Sequence, residues 1–252
     1  MADYRTDIVR ASDWARLPVL VAGLKLSTFL IKRTRGGQTR VFDPAAFSWI
    51  GQIESRWQAM RREAEAVVGD AGSLPRMREI LPGRYTVASA WKTYMLYGYG
   101  HKVPRNCALC PETAAAVEAV PNMRTAFFSV LPPRTRLPPH VGIYRGILRY
   151  HLGLIIPDPE RCGLRIEERV LRWREGQSFV FCDQYEHEAW NDTDQVRVVL
   201  FLDFLRPLPT ALAALNAWVI RRIGETRFIR ESGERLERLH GEADQKRLGV
   251  AG

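Results

Sequence analysis

The chain has 252 residues, enough for one large domain or two small ones, and its 46% hydrophobic and 26% charged composition suits a globular core, not a disordered or fibrous chain. The 37 Lys and Arg against 28 Asp and Glu leave a formal charge of +9, which points to an anionic partner: nucleic acid, an anionic membrane surface or an acidic small molecule. No helix-turn-helix, zinc-finger spacing or aromatic single-strand platform accompanies the basic residues, so nucleic acid is not expected. Four cysteines and no signal-like opening favour a cytoplasmic protein over a disulfide-built secreted one.

In chain order, residues 1–80 read as a helical region packing on a core. Leu17 to Ile31 is apolar apart from Lys25, Ser27 and Thr28, and Lys32, Arg33, Arg35 and Arg40 follow it. That stretch is short of the roughly 18 to 20 apolar residues a span needs, and it reads either as a packed helix or as an interfacial anchor. Asp43 and Pro44 then open a second helix, whose stripe is Phe47, Ile50, Ile53, Trp57, Met60 and Val67. Between 81 and 207 the period changes. Arg124–Leu131, Gly146–Ile156, Leu164–Leu171, Ser178–Phe181 and Val196–Phe204 are β-forming runs separated by Pro, Gly, Asn and Asp, which predicts a mainly β core of the jelly-roll or sandwich kind. Residues 208–252 return to helix, with Leu212, Leu215, Val219 and Ile223 on one face.

Three of the five histidines, His140, His151 and His187, fall in the β region. His140 sits at a strand edge after Pro138 and Pro139, and His187 stands before the turn Asn191 to Asp194, so both fit one barrel mouth. Arg197 lies in the apolar strand Val196–Phe201, where a guanidinium requires an anion. Arg149 and His151 share one face of Ile147–Leu152 by alternation. Two neutral imidazoles suit Fe(II), and an inward arginine suits a dicarboxylate gripped bidentately, the design of non-haem iron oxygenases that split 2-oxoglutarate. Cys107-Ala108-Leu109-Cys110 lacks a second pair at zinc spacing and reads as two reduced cysteines. Glu186 and Glu188 alternate away from His187, Tyr185 and Trp190 read as rim packing, and Asp183 reads as a strand-end turn residue without a catalytic role.

The order and spacing of Ser129-Val130-Leu131-Pro132-Pro133, Pro139-His140-Val141-Gly142, Leu148-Arg149-Tyr150-His151, Trp173-Arg174-Glu175-Gly176, Glu186-His187-Glu188-Ala189-Trp190 and Arg197 resemble the aspartyl/asparaginyl β-hydroxylase family across residues 110–207. Trp91-Lys92-Thr93 and Ala108-Leu109-Cys110-Pro111 are similar to its lipid A and ornithine-lipid hydroxylase branch. The resemblance implies a double-stranded β-helix, cupin-like, with flanking N- and C-terminal helices, using Fe(II), 2-oxoglutarate and O₂. It implies His140 and His187 as metal ligands and Arg197 on the C5 carboxylate of 2-oxoglutarate with Ser129 nearby. Arg149 and His151 would lie at the cosubstrate's other end or the substrate. Gly142 stands where most iron oxygenases place an aspartate, leaving an open third-ligand position for water or chloride.

The expected substrate is an aspartyl/asparaginyl-like amino acid or peptide. The family's peptide-hydroxylating members carry an arginine where Ile147 stands, so Arg145 is the candidate to replace it, with Arg149, at the substrate. Alternatives are a lipid acyl hydroxylase at the inner membrane face, a halogenase and a non-catalytic cupin-like binding module. Imidazole ligates only when neutral, so activity is expected to fall as the pH drops through about 6.5.

Overall fold

The computed structural model describes residues 17–69, 74–80 and 90–247. The eleven strands among them form two antiparallel sheets. The larger runs in the order β1 (Val41–Phe42), β9 (Ser178–Phe181), β6 (Ile147–Ile155), β11 (Arg197–Leu205), β4 (Met123–Leu131), β2 (Lys92–Gly98) and β3 (His101–Lys102). The smaller runs β5 (Thr135–His140), β10 (His187–Asn191), β7 (Cys162–Ile166) and β8 (Arg169–Arg172). The architecture is the expected double-stranded β-helix with helices at both ends.

Period-two alternation sorts the side chains of the larger sheet. Leu148, Tyr150 and Leu152 of β6 join Val198, Leu200 and Leu202 of β11 in an outer core. That core is completed by Met60 and Ala64 of α3 (Trp57–Val68) and Ala114 and Val117 of α6 (Pro111–Glu118). The opposite face turns into the barrel, where Leu131, Phe181 and Val199 meet Leu137, Leu164 and Ala189 of the smaller sheet. Arg149, His151, Arg197, Phe201 and Asp203 share that inward parity. Antiparallel register sets Phe201 opposite His151 and Asp203 opposite Arg149.

The predicted runs map onto strands with three differences. Leu164–Leu171 divides into β7 and β8 at Glu167, whose φ of 49° makes the turn. The helix expected from Asp43 begins as a 3-10 turn, Pro44–Ala46, with Asp43 Oδ1 accepting the Ala45 N–H at 3.0 Å. It then breaks into α2 (Ile50–Glu54) and α3, so the apolar stripe persists while the axis does not. The region read as helical also contributes β1, paired with β9. The boundary expected at residues 80 and 81 adjoins residues outside the described set.

At the termini, α1 (Leu17–Ile31) packs on α7 (Thr210–Gly224), and α8 (Arg227–Arg247) packs on α4 (Met77–Ile80). No described helix is long and apolar enough to cross a membrane.

Candidate active site

His140 ends β5 and His187 begins β10, and the two are register partners. Their rings lie 4.1 Å apart, centroid to centroid. The Nδ1 of His140 meets the Pro138 carbonyl at 2.8 Å, and that of His187 meets the Tyr185 carbonyl at 2.9 Å. Each backbone contact fixes the ring and the Nδ1–H tautomer, which leaves both Nε2 lone pairs as acceptors, the form a metal takes. Burial is the leading cause that lowers both imidazole pKa values, His187 well below the ordinary range. Among the described residues no group of three or more His, Cys, Asp and Glu converges to hold an ion, and at this place the two imidazoles stand as a pair.

Deeper in the barrel the polar groups lack partners. Arg197 is only 1% exposed. Its Nη1 donates to the Ser129 carbonyl at 3.1 Å, its Cζ lies 4.5 Å from the Trp173 ring centroid, and its Nε has no acceptor. Burial pushes its pKa down, and among the described residues no carboxylate pairs with it. Both ring nitrogens of His151 and the Trp173 indole N–H are likewise buried without partners. Phe179, Phe181 and Phe201 surround His151, and burial, followed by Arg149 and Arg197, holds it neutral. Orphaned donors around a buried guanidinium fit a small anion with oxygen acceptors, because an unsatisfied buried polar group is otherwise destabilising by about 1–3 kcal/mol. Ser129 lies beside Arg197, but its hydroxyl accepts the Trp91 indole N–H at 2.9 Å.

Three residues with expected roles at the site make internal contacts. Arg145 does not line the cavity at the histidines; it is buried, with Nη1 donating to the Gly37 carbonyl at 3.0 Å and the Tyr185 hydroxyl at 3.2 Å. Arg149 does line that cavity, yet it already holds two carboxylates, Asp203 at 2.9 Å and Asp183 at 3.0 Å. Burial opposes its charge, but the two aspartates outweigh burial and raise its pKa. The anion that Arg149 requires is therefore internal. At Gly142 a Cβ added to the backbone would overlap the Asp183 carboxylate, and the Gly142 N–H donates to the Asp183 carbonyl at 2.7 Å.

Asp183 is the site residue that the sequence reading missed. It is buried and lines the cavity beside His140. The only trace in the sequence is the bare Gly142, whose missing side chain is answered by a carboxylate far along the chain. The cavity itself has a volume of about 500 Å³ and is lined by His140 together with Trp91, Met95, Phe127, Met77, Ile80 and Leu236, which form one apolar cluster.

Fold and site together define a double-stranded β-helix protein with a histidine pair at its mouth and an anion-ready lumen behind it. Residues 54–207 match the profile described as Aspartyl/Asparaginyl beta-hydroxylase, and the chain belongs to that family. An ornithine lipid ester-linked acyl 2-hydroxylase of Rhizobium tropici is 41% identical over 205 residues, 80% of this chain and 73% of that protein. The human aspartyl/asparaginyl beta-hydroxylase is 28% identical over 204 residues, 78% of this chain but 25% of the human one, so the chain spans about a quarter of that relative. A Pseudomonas putida prolyl-4-hydroxylase structure aligns with 72% of this chain and all of that one, at a TM-score of 0.40 and 15% identity. The reaction of the chain is hydroxylation of an unactivated carbon.

Proposed function

We propose that this hydroxylase holds Fe(II) through His140 and His187, binds 2-oxoglutarate through Arg197, uses O₂, and hydroxylates the acyl chain of a lipid. The chemistry supplied at the histidine pair is oxidative decarboxylation of 2-oxoglutarate to succinate and CO₂, coupled to insertion of one oxygen atom into a substrate C–H bond. The protein supplies the rest. Arg197 orients the cosubstrate by its distal carboxylate, with a planar fork that lysine lacks. His151 and the Trp173 N–H offer hydrogen bonds along the same lumen, while the surrounding phenylalanines exclude water.

The observation that favours an acyl substrate over an aspartyl one is the cavity beside His140. Its walls, Met77, Ile80, Trp91, Met95, Phe127 and Leu236, are apolar, and Arg149, the cation at its inner end, is neutralised by Asp183 and Asp203. Ile147 lines it where the peptide reading requires a guanidinium. The cations of its lining are Arg149, already paired, and the exposed Lys102 and Arg230, so an acidic side chain meets no buried unpaired cation among them, whereas a hydrocarbon chain gains about 25 cal/mol for each Å² it buries. The Rhizobium tropici relative carries an acyl hydroxylase name. Asp183 beside Gly142 weighs against the halogenase alternative, because a carboxylate repels chloride from that place. The lipid reading carries with it a cytoplasmic protein that meets the inner face of the membrane.

The test supplies Fe(II), 2-oxoglutarate and O₂ with ornithine lipid in detergent, or with an aspartyl peptide, and follows succinate and product mass. One oxygen added to an acyl chain, with succinate in proportion, is the expected result. Hydroxylation of the peptide alone overturns the acyl assignment, and turnover without 2-oxoglutarate overturns the cosubstrate.

A further inference from the structure

We infer that α1 is a membrane-docking helix that seats the protein on an anionic lipid surface with the cavity close by. One side of α1 is used up in the fold. Leu20 and Leu24 pack into the cluster of Tyr144, Val219, Ile220 and Ile223, and Ile31 is fully buried. Gly23 permits that packing, since a Cβ there would meet the Trp218 ring at 2.7 Å. The Ser27 and Tyr144 hydroxyls share a hydrogen bond at 2.5 Å. Tyr144 and Ile223 also line the cavity, so α1 lies one side chain away from it.

Among the described residues, nothing covers the other side of α1. Val19 is 60% exposed, Leu26 52% and Phe29 51%, with Leu30 beside them. Their spacing of seven, three and one places them on one helical face. Lys25, Lys32, Arg33 and Arg35 are exposed around and after that face. No acidic residue occurs from Trp14 through Phe42. Arg33 lies over the Phe29 ring with its Cζ 3.4 Å from the centroid, and it donates to the Phe29 carbonyl at 3.2 Å. An apolar face bordered by exposed cations complements an anionic bilayer, whose headgroups meet the cations while the acyl region takes the side chains. The helix has 15 residues, about 22 Å at 1.5 Å per residue, and therefore lies along the interface and does not cross it. This deepens the acyl reading and rests on it for its purpose, because a chain drawn from the bilayer then has a short path to His140.

Sedimentation of the full chain with vesicles of equal phosphatidylglycerol and phosphatidylcholine, against phosphatidylcholine alone, tests this directly. The protein should sediment with the mixed vesicles at 0.1 M salt and be released at 1 M, as the Debye length falls from about 10 Å to about 3 Å. The double variant Leu26→Glu, Phe29→Glu should lose binding at least tenfold with an unchanged circular dichroism melt, as should Lys32→Glu, Arg33→Glu. Equal sedimentation of wild type and both variants overturns the proposal. So does a dimer that Leu26→Glu dissociates while wild type ignores vesicles, since a second copy then covers the face. Ornithine lipid in detergent micelles separates this from the acyl reading. Hydroxylation in micelles without vesicle binding sinks docking alone, and vesicle binding without hydroxylation of any lipid sinks the acyl reading alone.

Discussion

The lumen and the cavity beside it meet at His140, and their polar groups are treated in opposite ways. In the lumen Arg197, His151 and Trp173 keep buried donors or acceptors without partners. In the cavity Arg149, Asp183 and Asp203 satisfy one another, and the remaining wall is largely hydrocarbon. A site that leaves buried polar groups unsatisfied is ready for a polar ligand, and one whose buried charges pair internally leaves its apolar wall for the ligand, the cavity's other charged lining residues, Lys102 and Arg230 among them, being exposed. On the proposed reading this difference puts the cosubstrate in the lumen and an apolar substrate in the cavity, with the imidazole pair between them.

The comparison breaks most completely at the point of contact. His140→Ala or His187→Ala removes half of the protein's ligands, and since changes even behind a metal ligand lower affinity by about 10- to 100-fold, a loss beyond about 100-fold in Fe(II) affinity and of all turnover is expected. Calorimetry with Fe(II) under anaerobic conditions measures it. Wild-type affinity in either variant would remove the metal from this place.

Next in size is the polarity of the lumen. Arg197→Leu should raise the 2-oxoglutarate KM by about 10- to 100-fold, the worth of hydrogen bonds to a charged group. The same variant removes a buried charge that no described carboxylate balances, so its ligand-free form should melt no lower than wild type. A melt several degrees lower with an unchanged KM would make Arg197 a structural residue.

The wall between the two regions is sharpened by Gly142→Ala, which drives a methyl group into the Asp183 carboxylate. A loss of about 1–3 kcal/mol is expected for overpacking of this kind. Asp183→Ser should restore the melt of Gly142→Ala. If Gly142→Ala melts with wild type, the carboxylate is not where the structure has it.

Titration distinguishes the regions less sharply. His151 and His187 are held well below the ordinary imidazole pKa of about 6.5, by burial first in both cases. Below about 6.5 the unfolded chain therefore binds protons that the folded chain refuses, and stability rises with pH in that window. The metal-free protein should lose up to about 1.4 kcal/mol per pH unit for each of these histidines as the pH falls from 6.5, with no such trend above 7.5. Thermal melts across that range decide it. The depressed values also move the expected acid loss of activity below pH 6.5.

The barrel is legible because its strands alternate: Arg149 and His151 on one face and Arg197 in an apolar run show as inward polar groups in the sequence alone. Their partners do not, since pairing across β6 and β11 depends on register. Arg149 therefore reads as free for a ligand when Asp203 stands opposite it. Asp183 is hidden for the same reason, because its counterpart Gly142 shows only an absence. Strand β1 has two residues, too few for a period to show, and α2 and α3 share one stripe across a break that periodicity does not register.

The smallest effect on activity belongs to Arg145, which the sequence offered as the substrate's cation and the fold turns away from the cavity. Its guanidinium ties the Gly37 carbonyl to the Tyr185 hydroxyl and lies 4.7 Å from the Tyr185 ring centroid. Arg145→Met keeps the apolar stem and removes those bonds, so a loss of about 1–3 kcal/mol in stability is expected. Substrate and 2-oxoglutarate KM should stay within twofold, roughly the scatter set by about 0.4 kcal/mol. Assayed well below the variant's melting temperature, a selective rise in substrate KM would return Arg145 to the substrate. That result would also show that the cavity takes an anion after all, and the contrast between a polar lumen and an apolar cavity would fail at its apolar end.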